Sequence, residues 1–258
     1  MAPKNHGHIF DVEMGKHKPG CLCRHITPFE KDNSCSHRWQ AYKNAEDNPF
    51  IFNGLAYASL VGKTKWKHPQ QYGDWDIGKS SKIYRTINGA KTPINVNNFE
   101  ERADVPFKFN SHHLIPNSVL NNCLTEAAER DMRILYITRS ALLEAEYNLN
   151  DKSNMIILPI PRYVAEGYGL PRHISGIDSL PGEKPEKMNH SDYNNNVKKL
   201  VSKIIESFTN ALRIEECDVE AGSFARSTLE TISDMIYTKL ITWRGLNKGL
   251  AINSLPDL

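Results

Sequence analysis

No apolar run in this sequence approaches the roughly 18 residues that a membrane-spanning helix needs. The best candidates, Met155–Pro161 and the interrupted stretch Phe50–Val61, are far too short, so a helical span is excluded. There is also no apolar core of a secretory leader near Met1, because the first residues run straight into polar sequence. If the protein leaves its cell, another machine is expected to carry it. No disulfide framework is visible: the five cysteines are odd in number, and Cys21, Cys23 and Cys35 are clustered. Repeats are missing, and neither sign of charge dominates, with 32 Lys+Arg against 30 Asp+Glu. What is present is ordinary for a globular chain, 40% hydrophobic and 24% charged over 258 residues, which rules out wholesale disorder, collagen and coiled coil. The length fits one large domain or two modest ones.

The charge is unevenly spread. Residues 1–110 hold 16 Lys+Arg against 11 Asp+Glu, which leaves 16 against 19 for the remainder. The excess concentrates between Gly62 and Lys91, where Trp66, Tyr72, Trp75 and Tyr84 stand among seven basic residues. Such a mixture suits phosphate contact and base stacking, and equally a solvated loop anchored by its aromatics.

Cys21, Cys23 and His25 alternate, so an extended segment puts their side chains on one face, and Cys35 and His37 repeat the alternation after a turn. Thiolates and imidazoles so arranged could close a tetrahedral, structural zinc site that staples the N-terminal region. The other reading is reduced, partly buried cysteines with surface histidines. Cys123 and Cys217 read as small core residues.

The pattern divides near 98–102. Residues 1–100, rich in Gly, Pro, Asn, His and Lys, read as short strands and turns with a helix near 36–44, an accessory or docking region. Residues 101–258 carry a strand over 105–110 and helices over 119–134 and 138–148. A short buried strand over 154–159 and a loop of about thirty residues follow. Helices from 189 to 208 and from 223 to 243 complete the chain.

Within this second part, strand, His112-His113, Asn154 before a strand, and His190 opening a helix with Asn194 one turn on make an ordered constellation. Neighbouring strand residues face opposite ways, so His112 and His113 cannot do the same job. One can bind a metal while the other meets the water to be activated. His190 and Asn194, four apart on a helix, share a face and could complete the metal site. Tyr193 is expected to pack the helix against the hairpin, His173 to be a loop residue, and Arg162 and Lys187 to be candidate phosphate contacts.

At Ser111-His112-His113-Leu114-Ile115-Pro116, Asn154-Met155-Ile156-Ile157-Leu158-Pro159 and His190-Ser191-Asp192-Tyr193-Asn194, the chain resembles the HNH/endonuclease VII superfamily, in its toxin branch with an Ala-His-His or Ser-His-His signature. The resemblance covers roughly 105–208. It implies an α+β fold around a ββα-metal (His-Me finger) core, here with surrounding helices and an irregular N-terminal region. It further implies His112 and His190 as metal ligands, with Asn194 beside them, His113 as general base and Asn154 as the amide that holds the loop and orients the base.

The expected activity is hydrolysis of DNA phosphodiester bonds with low sequence specificity, dependent on one divalent ion (Mg, Mn, Zn or Ni), with a second, structural zinc as a further candidate. The same resemblance implies an antibacterial toxin made in the bacterial cytoplasm and injected into a rival cell by type VI or contact-dependent secretion. Its partners would be a cognate immunity protein and a delivery component. An RNase on the same scaffold, and a noncatalytic zinc-stabilised nucleic-acid adaptor, are the alternatives.

Overall fold

The computed structural model describes residues 8–11, 16–24, 29–52, 80–87, 89–97, 107–173, 190–214, 219–242 and 249–254. His25, Lys187, Cys217 and most of the basic aromatic stretch after Gly62 lie outside them. Over the described residues the architecture is α+β, with three small antiparallel pairs. β1 (His8–Asp11) pairs with β2 (Lys16–Cys21), β3 (Ser80–Ile87) with β4 (Ala90–Asn97), and β5 (Phe109–His113) with β6 (Met155–Pro159). Among the described residues no helix is long and apolar enough to cross a membrane.

The β5–β6 pair is the element that positions everything else. Its register sets His112 opposite Ile156 and His113 opposite Met155. Every residue of β6 is buried, which explains why its sequence reads as a continuous apolar run, not an alternation. The period of two still operates across its faces. Ile156 and Leu158 join one core with Leu114, Leu120, Val197 and Leu229. Met155 and Ile157 join another with Trp39, Phe52, Phe107 and Tyr168. The hairpin is thus a partition between two cores.

Four helices build the first core: α2 (Asn117–Ala127), α3 (Met132–Glu144), α5 (Ser191–Ile214) and α6 (Val219–Thr242). The second is built by α1 (His37–Glu46) and the short α4 (Arg162–Tyr168). Residues from within 1–100 therefore share a core with the hairpin. Asn44 also donates to the Lys152 carbonyl, and Lys152 pairs with Asp47 at 2.7 Å.

Several element bounds differ from the sequence expectation. The strand expected over 105–110 lies at Phe109–His113, which carries the histidine pair onto the hairpin itself. Helix 119–134 ends early, at Ala127, because Glu129 and Arg130 take positive φ and Asp131 caps a new helix by accepting from the Arg133 and Ile134 amides. The loop after β6 begins with α4, which Gly169 terminates in the left-handed conformation at φ 72°.

Candidate active site

β5 presents His112 and His113 to opposite sides, as its alternation demands. Both rings are buried, each 6% exposed. The His112 ring stands 5.1 Å from that of His173, 5.9 Å from His190 and 5.0 Å from Tyr193, and the His173 and His190 rings are 4.2 Å apart, centroid to centroid. Three imidazoles distant in sequence thus meet. An ion about 2.1 Å from each ring nitrogen would set neighbouring ring centres roughly 5 Å apart, and the observed separations bracket that figure. As the rings stand they do not form a closed ligand group; among the described residues no set of three or more His, Cys, Asp or Glu side chains does. His112 Nε2 nevertheless is buried with no hydrogen-bond partner among the described residues; a cation would satisfy it, and a buried polar atom left alone costs stability.

The backbone around these rings is anchored. His190 precedes α5 at φ 43°, and its carbonyl accepts from the backbone N–H of Asn194 at 2.8 Å. Asn253 caps the same helix start by accepting from the Asp192 and Tyr193 amides. Tyr193 donates to the Leu114 carbonyl at 2.6 Å, which ties α5 to the residue following the histidine pair. The His173 amide donates to the Pro159 carbonyl, and its ring nitrogen Nδ1 meets Asn110 Nδ2 at 2.8 Å.

His113 looks the other way. Its Nε2 lies 3.1 Å from Asn150 Oδ1, while Asn150 Nδ2 donates to the Cys23 carbonyl at 2.8 Å. That second bond fixes which end of the amide faces the ring. With Oδ1 as acceptor, Nε2 carries the proton and Nδ1 holds the free lone pair. On its face the His113 ring stacks against His37, with centroids 5.9 Å apart.

Burial decides the charge state of all four rings. Desolvation pushes His112 well below the usual imidazole range, helped by His173 and His190. It lowers His113 to about 4, against the Asn150 bond, which raises it. His173 falls to about 3 through desolvation and the nearby His190, and His190 is lowered by desolvation. At neutral pH these imidazoles are uncharged, the form that ligates metal or accepts a proton.

The two histidines open onto a cleft of about 540 Å³, lined also by Arg24, Ser111, Asn117, Ser118, His173, His190 and Asn194. Asn117 and Ser118 are the first residues of α2, whose unpaired amides favour an anion there. The structure therefore brings His112, His113, His190 and Asn194 to one cleft. It adds His173, which was expected to be a loop residue.

Three expectations require correction. Asn154 does not reach His113: its Oδ1 accepts from the Ile115 amide and Ser233, and its Nδ2 donates to the Ile115 and Leu149 carbonyls. It holds the loop, while Asn150 contacts the ring. Arg162 pairs with Glu166 at 2.8 Å and borders a separate cavity with Lys108 and Arg172; among the described residues the cation at the histidine cleft is Arg24. Among the described residues, which leave out His25, the zinc staple does not assemble either. Cys21 and Cys35 meet, but the His37 ring is used against His113.

Residues 95–220 match the family model described as AHH, a nuclease family of the HNH/ENDO VII superfamily with conserved AHH. This segment belongs to that family. No curated protein and no solved structure gives a match. Over this segment the chain is similar to the AHH nucleases, which are hydrolases of phosphodiester bonds, and its signature there reads Ser111-His112-His113. The matched stretch spans β5, β6, α5 and the intervening helices, together with every histidine that lines the cleft. Sequence spacing gave little sign of Asn150, His173 or Arg24, because each reaches the site from a loop whose path depends on packing.

Proposed function

We propose that this AHH nuclease cleaves DNA at low sequence specificity, with His113 as general base and a divalent ion held by His112 and His190, Asn194 and His173 beside them. The observation that carries the reading is the division of labour between adjacent histidines. The His112 ring stands beside two further imidazoles and has a buried nitrogen with no partner among the described residues, while His113 is held by an amide in the tautomer that leaves Nδ1 basic.

His113 Nδ1 takes a proton from the attacking water, and Asn150 steadies the ring as it becomes charged. Arg24 and the start of α2 bind the phosphate and orient it toward the water. A bound divalent ion would supply Lewis-acid stabilisation of the phosphate and of the departing 3′ oxygen. Phosphate-directed contacts carry no base information, which supports low specificity.

The biological reading follows the family resemblance: an antibacterial effector made in the bacterial cytoplasm, delivered into a rival cell and neutralised by an immunity protein in the producer. The test is parallel digestion of end-labelled DNA and RNA. We expect DNA cut to 5′-phosphate ends and RNA spared; RNA cut in preference would replace the DNase reading with the RNase alternative. Expression in a susceptible bacterium should halt growth, and the His113→Ala variant should not.

A further inference from the structure

We propose that the second cavity, at the end of the β5–β6 pair remote from His113, is a subsite for one unpaired nucleotide of the substrate strand, an assignment that rests on the nuclease reading of the histidine cleft. The base lies inside and its phosphate meets Lys108. The cavity measures about 430 Å³, within the range of small-molecule sites.

The hairpin register fixes where it lies. Phe109 stands opposite Pro159, and the Ile160 amide donates to the Lys108 carbonyl, so Lys108 and Ile160 extend the ladder by one step. Both line the cavity. Strand side chains alternate, which puts Lys108 on the same face as Asn110 and His112. From Lys108 to His112 is four residues of strand, roughly 13 Å, a distance that a short run of one nucleic-acid strand covers. A second connection passes through the loop after α4: His173 lines the histidine cleft, and its neighbour Arg172 lines the cavity.

The wall has two chemistries. Ile160, Pro161 and Tyr163 make an apolar side that includes one aromatic ring, and any base can pack there because every base has a π-face. Lys108, Arg162 and Arg172 bring three positive charges against Glu166. Arg162 and Glu166 pair with each other at 2.8 Å, so the excess charge lies with Lys108 and Arg172. Lys108 is exposed. Arg172 is buried, and its Nε donates to the Gly249 carbonyl at 2.7 Å.

These two chemistries select the occupant. Inorganic phosphate would leave the apolar side empty, and a neutral apolar molecule would leave the cationic excess unanswered. A nucleotide satisfies both, with phosphate at the exposed lysine and base against the apolar side. A base that enters has left its stack, so the subsite favours single-stranded or melted segments. Packing against an apolar wall discriminates little between bases, which agrees with low sequence specificity.

Binding is measured on the full-length protein in excess chelator, where metal-dependent cleavage is stopped. Fluorescence anisotropy compares a labelled oligothymidine with a strand of equal length whose sugars carry no bases. We expect the base-bearing strand to bind about 5–100-fold tighter. Ile160→Trp, which fills the cavity, should remove that advantage while the baseless strand binds as before. Lys108→Ala should weaken both strands and lower the salt dependence of binding by about one ion. A single iodouracil in the strand should crosslink under ultraviolet light to the peptide that carries Tyr163. If Ile160→Trp does not fold, the crosslink and the exposed Lys108 decide. Equal affinity for the two strands, a Lys108→Ala variant that binds like the wild type, or crosslinks to other peptides alone would overturn the proposal. Protein that binds in the expected pattern but cuts nothing with any ion would remove the nuclease reading and leave the strand-binding subsite. Protein that cuts plasmid but ignores the bases would do the reverse.

Discussion

At Asn150 a single side chain joins two jobs that the residue type makes compatible: its oxygen accepts from His113 and its nitrogen donates to the Cys23 carbonyl. Removing the amide frees the imidazole to rotate and to swap its proton between nitrogens. Asn150→Ala is therefore expected to lower kcat by about 10–100-fold, as loss of a partner to a site histidine commonly does, with KM little changed; single-turnover kinetics would check it. Asn154 is different in kind. Its four bonds to Ile115, Leu149 and Ser233 are structural, and Asn154→Ala leaves buried backbone groups unpaired. That variant should lose about 3 kcal/mol of stability, read by urea titration. The sequence made one amide visible, Asn154, because it sits directly before an apolar strand. It hid the other because Asn150 belongs to a turn whose geometry is set by packing of the loop over β2.

Among elements, the β5–β6 pair and α5 were legible for physical reasons. A completely buried strand needs an unbroken apolar run, and a long helix on a core needs a 3.6-residue stripe. The break between α2 and α3 was not, because no Gly or Pro marks it; Asp131 acts as a cap only once Glu129 and Arg130 have turned the chain. His173 was hidden similarly, since a loop histidine acquires meaning only when the chain around Arg172 bridges to Ala251 and bonds to Pro159. The helices make a prediction of their own at Gly222, where a Cβ would stand 2.6 Å from the Ala141 carbonyl oxygen. This close approach of α6 to α3 admits no side chain. Gly222→Ala should destabilise the protein by about 1–3 kcal/mol, visible as a lowered melting temperature with the cleft chemistry retained at low temperature.

Across the whole molecule, the buried uncharged histidines link folding to pH. His113 holds its proton only below about 4 when folded, whereas an unfolded chain binds it near 6.5. Below pH 6.5 the unfolded state binds more protons, so metal-free protein should lose stability as pH falls from 6.5 toward 4 and level off beyond, by about 3 kcal/mol from His113 alone. His173, lowered to about 3, pushes in the same direction. Urea midpoints at pH 7.5, 6 and 5 would test this; a flat profile would mean that the rings are not buried neutral.

The central claim is that adjacent histidines on one strand serve different functions, one at a metal and one at a proton. Plasmid cleavage by wild-type protein and His113→Ala, purified side by side and assayed with magnesium, manganese, zinc or nickel and with a chelator, tests it most directly. The account predicts nicked and linear plasmid from the wild type with at least one of these ions, none with the chelator, and a loss of at least about 100-fold in a folded His113→Ala. A wild-type protein inert with every ion, or a His113→Ala variant that cuts at the wild-type rate, would contradict it.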